Sequence, residues 1–357
     1  MEKYRIDKSK GLEFGIYTLG DHIQNPATGK RISAQQRVQE IIEFAKLAEQ
    51  AGIDFFSVGE SHQEYFATQA HAVVLSAIAQ ATEKIKIGSS ATIISTADPV
   101  RVFEDFATID LISNGRAEII AGRASRVGLF ELLGYDLRDY EELYEEKFEL
   151  LVKINEEEVV NWSGKYRAPL KNAKIIPRPI EGSIPIWRGV GGPPASAIKA
   201  GIQGVPMYLA MLGGPASAFK NSVDAYREAL KRSGHNPKDF PVATAGFFYA
   251  AETTQQAQRE IYPHIDLGLK LVNGRGYPKQ QFAQGTDTRD IMNIGSPQQI
   301  IEKILYQHEM FGHQRYIAQM DFGGVPFDKL MKNIEFIGNE ILPAVKKYTA
   351  KSKGESV

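Results

Sequence analysis

The sequence predicts one (β/α)₈ barrel, a TIM barrel, over residues 1–357. Short apolar runs alternate with helical patterns about eight times, which is typical of parallel strands joined by helical crossovers. An open doubly wound sheet usually has fewer strands, so a closed barrel with insertions fits better. No internal repeat, low-complexity tract or Pro/Ser-rich linker divides the chain, and we therefore predict a single domain.

The strands are predicted where apolar residues cluster between turn residues. In chain order they are Glu13–Gly20, Ile53–Glu60, Ile85–Ile94, Arg116–Arg123, Ile184–Gly192, Val205–Leu212, Val242–Ala251 and Arg315–Met320.

The intervening segments have the spacing of amphipathic helices. One apolar stripe follows the first strand and another follows the last. Their residues are Val38, Ile41, Ile42, Ala45 and Ala48, and Phe327, Leu330, Met331, Ile334, Ile337 and Ile341.

Two segments do not fit the strand and helix pattern of an ideal barrel, at about 125–140 and about 268–296, and both are predicted to be insertions. The second is long, polar and rich in Gly, Gln and Asp. Loops of this kind are either disordered or act as lids over active sites. Both interpretations remain open for this segment.

Composition limits the function. The 42 basic and 43 acidic residues nearly cancel, which disfavours a nucleic-acid-binding protein. With no cysteine, the chain has no disulfide, Fe–S cluster or thiolate metal site. A polar N-terminus and the lack of a long apolar run predict a cytoplasmic protein without a membrane segment.

Two Gly-Arg pairs bracket the fourth strand. Gly115 follows a helical pattern and is expected to end that helix, with Arg116 pairing with carboxylates at the bottom of the barrel. Gly122 and Arg123 follow the strand, at the catalytic mouth, and there a guanidinium indicates an anionic ligand. The alternative for Arg123 is a salt bridge to an acid of the insertion.

A second anion signal follows the fifth strand. In "RGVGGPPASAIKAG", Gly191 and Gly192 end the strand and Ser196 falls in the first turn of the next helix. Free N–H groups and the helix dipole there suit a phosphate. A plain turn is the alternative, and the segment matches neither a Rossmann fingerprint nor a P-loop.

The second strand ends in "GESHQEYF", which makes Ser61 and His62 candidates for polar chemistry. A serine hydrolase is disfavoured, because adjacent side chains on a strand point to opposite faces. The seven histidines show no metal-ligand spacing, and we predict no metal.

Three segments together resemble the bacterial luciferase-like flavin monooxygenases: "GIDFFSVGESH", "IKIGSSATIISTADPVRVFEDFATIDLISNGRAEIIAGRAS" and "IPIWRGVGGPPASAIKAGIQG". The resemblance covers nearly the whole chain. It implies a barrel that binds reduced FMN, supplied by a separate NAD(P)H-dependent reductase, with oxygen activated at the flavin C4a atom. It also implies a homodimer formed through the helices beside the second and third strands.

Carried over to this sequence, the resemblance implies a flavin-binding set. Arg123 would bind the phosphate with Ser196 and the amides of Gly191 and Gly192, beside Gly122. The isoalloxazine ring would lie on Ser89, Ser90, Ala91 and Thr92, with a non-prolyl cis peptide at Ser90-Ala91.

One departure changes the expected chemistry. The luciferases carry two consecutive histidines after the strand-end glutamate, whereas here Ser61 stands at the first and His62 at the second. The expected activity is therefore oxidation of a small organic substrate without light emission, with His62 and Ser61 as catalytic candidates. The alternatives are hydride transfer with a deazaflavin, and flavin binding without catalysis.

Overall fold

A computed structural model describes residues 1–350. Eight parallel strands form its centre: β1 (Glu13–Thr18), β2 (Phe55–Val58), β3 (Lys86–Ser89), β4 (Ala117–Gly122), β5 (Ile186–Val190), β6 (Met207–Ala210), β7 (Val242–Ala250) and β8 (Arg315–Gln319). Each strand pairs with the next, and β8 pairs with β1. The sheet is therefore closed, and the predicted barrel is confirmed with strand ends within two or three residues of the expected ones, except that the third predicted strand ends earlier, at Ser89.

Helices surround the barrel: α1 (Ala34–Gln50), α2 (His71–Ala81), α3 (Pro99–Ser113), α4 (Tyr140–Glu156), α5 (Pro194–Gln203), α6 (Ala216–Arg232), α7 (Thr254–Asn273), α8 (Pro297–Phe311), α9 (Phe327–Phe336) and α10 (Leu342–Thr349). A π-helical turn at Ile337–Ile341 joins the last two. Ile41, Ala45 and Ala48 of the predicted first stripe are buried, as the helical spacing requires.

Alternation along the strands separates two apolar clusters. Phe14 and Ile16 of β1 pack outward in the cluster that includes the helices, whereas Tyr17 belongs to a smaller cluster inside the barrel. This is the period of two expected of a strand with both faces buried. Inward-facing residues near the carboxyl ends of the strands therefore form the base of the site.

The interior near the amino ends of the strands is charged. Arg315 of β8 donates to both carboxylate oxygens of Glu118 on β4, at 2.7 and 2.9 Å, and to Glu13 on β1 at 2.8 Å. These buried charges are compensated within the barrel. Removal of one partner would leave a charge without compensation, which costs about 3–5 kcal/mol for a buried pair.

Both insertions have regular structure. The first contains a short helix at Gly128–Leu132, and the second is spanned by the end of α7, a helix at Lys279–Gln284 and a strand at Asn293–Gly295 that pairs with β7. The interpretation of the second insertion as a disordered loop is therefore wrong, because its apolar side chains, such as Phe282, are buried against the barrel.

Gly115 ends α3 as predicted, with a φ of +84° directly after the left-handed Asn114. Within the described residues Arg116 forms no direct ion pair, and the carboxylates of Glu49 and Glu83 act on it only through Coulomb attraction at longer range. Its guanidinium donates to backbone carbonyls, among them Ala79 and Thr82 at 2.9 and 2.7 Å. These carbonyls lie at the end of α2, where the last turn of a helix lacks intrahelical donors.

Candidate functional site

A cavity of about 310 Å³ opens at the carboxyl ends of the strands. It is lined by the ends of β1, β4, β5 and β6, the segment after β3, and the borders of the first insertion. The lining residues are Tyr17, Ser90, Ala91, Gly122, Arg123, Ser125, Tyr140, Gly189, Val190, Gly191, Tyr208 and Ala210. None comes from 268–296, so the first insertion rather than the second borders this cavity.

A smaller cavity of about 100 Å³ adjoins the first. The two share Ala91, Arg123 and Ser125, and the smaller one is also lined by Glu60, Ser61 and Arg126. Residues predicted from four separate strand ends thus meet at one mouth. This is where TIM barrels place their active sites.

The segment after β3 forms one wall of the larger cavity. The Ser90-Ala91 peptide bond is cis, which confirms the expectation from the sequence. The Ser90 hydroxyl donates to the Tyr208 hydroxyl oxygen at 2.9 Å, and both residues line the cavity. Ser90 and Ala91 therefore present a small, partly polar surface.

The outer members of the predicted ring-binding segment face away from this cavity. The Ser89 hydroxyl accepts a hydrogen bond from the Ile120 amide at 3.1 Å, which joins β3 to β4. The Thr92 hydroxyl is hydrogen-bonded to His71 at 2.8 Å and is buried. Both side chains hold the wall in position rather than line the cavity.

Gly122 lets this wall approach β4. A Cβ atom at Gly122 would lie 2.7 Å from the Ala91 Cβ, closer than side chains pack. A Cβ atom at Gly191, by contrast, would meet no atom of residues 1–350 within 4 Å. The first glycine is required by packing, whereas the second leaves open space at the mouth.

Arg123 forms an ion pair at the mouth. Its Nη1 lies 2.6 and 2.7 Å from the two carboxylate oxygens of Glu141, the second residue of α4. The guanidinium also lies 5.4 Å from the ring centroid of Tyr144. The structure contains the predicted alternative, a salt bridge to an acid bordering the insertion, and it also places Arg123 in the wall of both cavities.

Helix α5 begins three residues after Gly191, and no side chain caps its N-terminus. Ser196, in its first turn, is buried, yet its hydroxyl has no hydrogen-bond partner within the described residues. The Gly192 carbonyl accepts a hydrogen bond from Ser222 at 2.6 Å, which fixes the preceding loop. An unpartnered hydroxyl beside free helical N–H groups fits a phosphate ester.

Ser61 and His62 differ in what they face. The Ser61 hydroxyl lines the smaller cavity and accepts a hydrogen bond from Arg126 Nη1 at 3.2 Å. His62 has a left-handed backbone, and its Nε2 lies 2.5 Å from Glu60 Oε2. His62 lines neither cavity, so the serine is the nearer of the two to a bound ligand.

Sequence reasoning missed Arg126. Its side chain lies 4.9 Å above the ring of Phe66, and burial lowers the pKa of its guanidinium. Only its position, three residues beyond Arg123, could have suggested it. It places a second cation at the mouth, beside Ser61.

Sequence reasoning also missed two buried carboxyl groups, Asp21 and Asp321, which lie just beyond the ends of β1 and β8. Asp21 accepts from the Gly323 amide at 2.9 Å, and Asp321 is bonded to Thr18 and Arg37. Burial and the charge of Asp321 raise the pKa of Asp21 to about 8. Polar residues directly after strand ends were the available signal.

Two further features bear on the class of protein. Within residues 1–350, no three His, Asp or Glu side chains are grouped as a metal ion would require. In the same range, every helix is too short or too polar to cross a membrane.

A closed parallel barrel with a polar cavity at the carboxyl ends of its strands is the arrangement of a TIM-barrel enzyme. The model of the luciferase-like monooxygenase family matches residues 12–314. The chain therefore belongs to this family and is an oxidoreductase.

Known proteins of two cofactor types are similar to the chain. The oxygenase component of a flavin-dependent trigonelline monooxygenase from Acinetobacter baylyi is 21% identical over 360 residues, 93% of this chain and 95% of that protein. The oxygenating constituent of 3,6-diketocamphane monooxygenase from Pseudomonas putida, solved with FMN, superposes with a TM-score of 0.75 and 18% identity over 93% of this chain and 98% of its own. An F420-dependent secondary alcohol dehydrogenase gives a TM-score of 0.72 and 18% identity over 94% of this chain and 99% of its own.

Proposed function

We propose that the protein is an FMN-dependent monooxygenase that takes up reduced FMN and oxidises a small organic substrate without emitting light. The observation that carries the proposal is a pair of groups that suit a phosphate ester, the Arg123 guanidinium in the cavity wall and the unpartnered Ser196 hydroxyl at the start of α5. Gly191 and Gly192 precede that helix and contribute backbone amides. The family match and the FMN complex of a relative support the same cofactor.

A bound reduced flavin would supply two electrons for the reduction of molecular oxygen, so that one oxygen atom could enter the substrate and the other could leave as water. The chain's own residues would bind and orient the flavin. Ser90 and Ala91, next to Gly122, offer a flat surface of small side chains on which an aromatic ring can lie. Arg126 and the Ser61 hydroxyl supply hydrogen-bond donors beside that surface, where negative charge on oxygen is stabilised.

His62 has a supporting role in this proposal. Its contact with Glu60 fixes the loop that carries Ser61, because the other Glu60 oxygen accepts from the Ile93 amide at 2.7 Å. The hydroxyl of Ser61 donates a hydrogen bond but does not act as a base near neutral pH.

We also propose a separate NAD(P)H-dependent flavin reductase as partner, which a relative described as an oxygenase component supports. Hydride transfer with a deazaflavin is the second candidate, and the F420-dependent relative favours it. Flavin binding without catalysis is the third, because Ser61 stands where the luciferases carry a histidine.

Anaerobic ultrafiltration with reduced FMN, reduced riboflavin and a reduced deazaflavin tests the cofactor. The Arg123→Ala variant should bind FMN at least about tenfold more weakly, because a charge-assisted contact to the phosphate is lost. Riboflavin, which has no phosphate, should respond little. Arg138→Ala is the control, since Arg138 is an exposed insertion arginine paired with Asp136.

Preferential binding of the deazaflavin would instead support the second candidate function, hydride transfer. Binding of neither cofactor would contradict a flavin site altogether. If FMN binds through Arg123, the rate of oxygen uptake in a reductase-coupled assay separates a monooxygenase from a binding protein. Added substrate increases the rate of oxygen uptake only for a monooxygenase.

A further inference from the structure

We infer that Glu141 is a built-in competitor for the flavin phosphate, and that it sets how strongly the site selects phosphate-bearing flavin. The inference rests on the proposed function. In the structure, the Glu141 carboxylate binds Nη1 of the guanidinium that would contact the phosphate. A carboxylate and a phosphate oxygen are alternative anionic acceptors for the same arginine N–H groups.

The neighbouring charges show which way Glu141 would move. Lys199 of α5 lies 3.8 Å from Glu141 and 2.8 Å from Glu145. Ser196 and Lys199 are three residues apart on α5 and share a face of that helix. Glu141 therefore lies between two cations, Arg123 on one side and Lys199 of α5 on the other.

A phosphate dianion entering this space would meet the Glu141 carboxylate at close range. Like charges at this distance repel, and the repulsion is relieved when Glu141 exchanges Arg123 for Lys199. The exchange needs only a rotation of a side chain that is 54% exposed. Glu145 does not take part, because it is held by Arg188 at 2.7 and 2.9 Å.

The pair contributes little to folding, since a partly exposed ion pair stabilises a protein weakly. Its effect falls on binding. A flavin without a phosphate makes no contact with Arg123, so its binding free energy includes no cost for displacing Glu141. Glu141 therefore reduces the affinity for FMN while leaving the affinity for riboflavin unchanged.

The test compares Glu141→Gln and Glu141→Ala with the wild type by anaerobic ultrafiltration with reduced FMN and reduced riboflavin. Both variants should bind FMN about three- to fivefold more tightly, the range of a released surface ion pair. Riboflavin binding should not change. In an Arg123→Ala background, Glu141→Gln should give a smaller gain, because the competition for the guanidinium has been removed and only the repulsion between Glu141 and the phosphate is left to relieve.

Glu142→Gln is the matched control. Glu142 lies on the same helix, and its substitution removes the same charge. Its carboxylate, however, binds Lys165 and Tyr166 instead of Arg123. An equal gain in Glu142→Gln, or an equal gain with riboflavin, would contradict the inference.

Failure of the inference and failure of the proposed function are distinguishable. If the wild type binds FMN through Arg123 and Glu141→Gln does not tighten that binding, the inference alone is overturned. If neither the wild type nor Glu141→Gln binds FMN, the proposed function fails and the inference fails with it.

Discussion

Asp21 and Asp321 bring two carboxyl groups into a buried region behind the mouth. The groups around Asp21 are Asp321, Arg37, Arg126 and Tyr17, and burial dominates the rise of its pKa to about 8. One oxygen of each carboxyl group has no hydrogen-bond partner within the described residues. A proton held on Asp21 is therefore the arrangement that keeps two adjacent acids from both being ionised.

The raised pKa predicts a pH-dependent stability. The protonated Asp21 carboxyl group contributes fully to the free energy of unfolding below its ordinary pKa of about 4. This contribution is lost as the pH rises through about 8. From pH 6 to 8 the wild type should lose up to about 1.4 kcal/mol of unfolding free energy per pH unit relative to Asp21→Asn. Urea unfolding at several pH values measures this difference.

Asp328→Asn is the control for that series, because Asp328 is an exposed carboxyl group in the first turn of α9. It should keep the pH profile of the wild type. Parallel profiles of the wild type and Asp21→Asn would show that Asp21 is ionised throughout this range and would contradict the prediction.

Two neighbouring elements approach each other closely at the cavity. The segment after β3 and the end of β4 form adjacent walls of the cavity, and their separation is set by Gly122 and Ala91. Neither wall can shift freely, since Ser89 ties β3 to Ile120 and Ser90 is bonded to Tyr208.

Gly122→Ala should therefore destabilise the protein without any ligand. A methyl group forced against Ala91 is overpacking, which costs about 1–3 kcal/mol. Gly191→Ala is the comparison, because the added methyl group finds open space, and its melting temperature should stay close to that of the wild type. Thermal unfolding of both variants checks the prediction, and equal stabilities would contradict it.

At the scale of the whole molecule, exposed apolar residues lie on the predicted dimer helices and the loop beside them. Leu111 and Ile112 of α3 are 45% and 43% exposed. Ile176 and Ile180, in the segment before β5, are also exposed. The Ile180 backbone amide donates a hydrogen bond to the Asp110 carboxylate of α3, which holds this segment against the helix. We call these four side chains the α3 patch, and exposed apolar groups of this kind favour contact with a second chain.

We propose that this patch contributes to a homodimer, as the sequence predicts. Leu111→Glu should then shift the mass measured by light scattering from two chains to one, because a charge would be buried in the interface. Ile202→Glu is the control, as Ile202 is an equally exposed apolar residue on α5. A wild type that is monomeric at micromolar concentration would contradict the dimer.

Local patterns in the sequence determined the barrel. Each of its eight strands is an apolar run bounded by turn residues, and each intervening helix has an apolar stripe, so periodicity alone located them. The same patterns placed Arg123 and Ser196, since strand ends and helix starts are readable along the chain, whereas the cis bond at Ser90-Ala91 was implied by the family resemblance. The hydrogen-bond partners of Arg116 were not predictable, because they are backbone carbonyls and the Thr82 hydroxyl, which no charge pattern reveals.

The tertiary structure alone decided what these residues meet. Glu141 on Arg123, Arg126 on Ser61 and Asp321 near Asp21 are contacts between residues 18, 65 and 300 positions apart in the chain. The sequence determined the fold and the kinds of group at the mouth, because these follow from local periodicity. Only barrel closure decided which charges are paired and which proton is retained, because burial and Coulomb interactions depend on distance in space rather than along the chain.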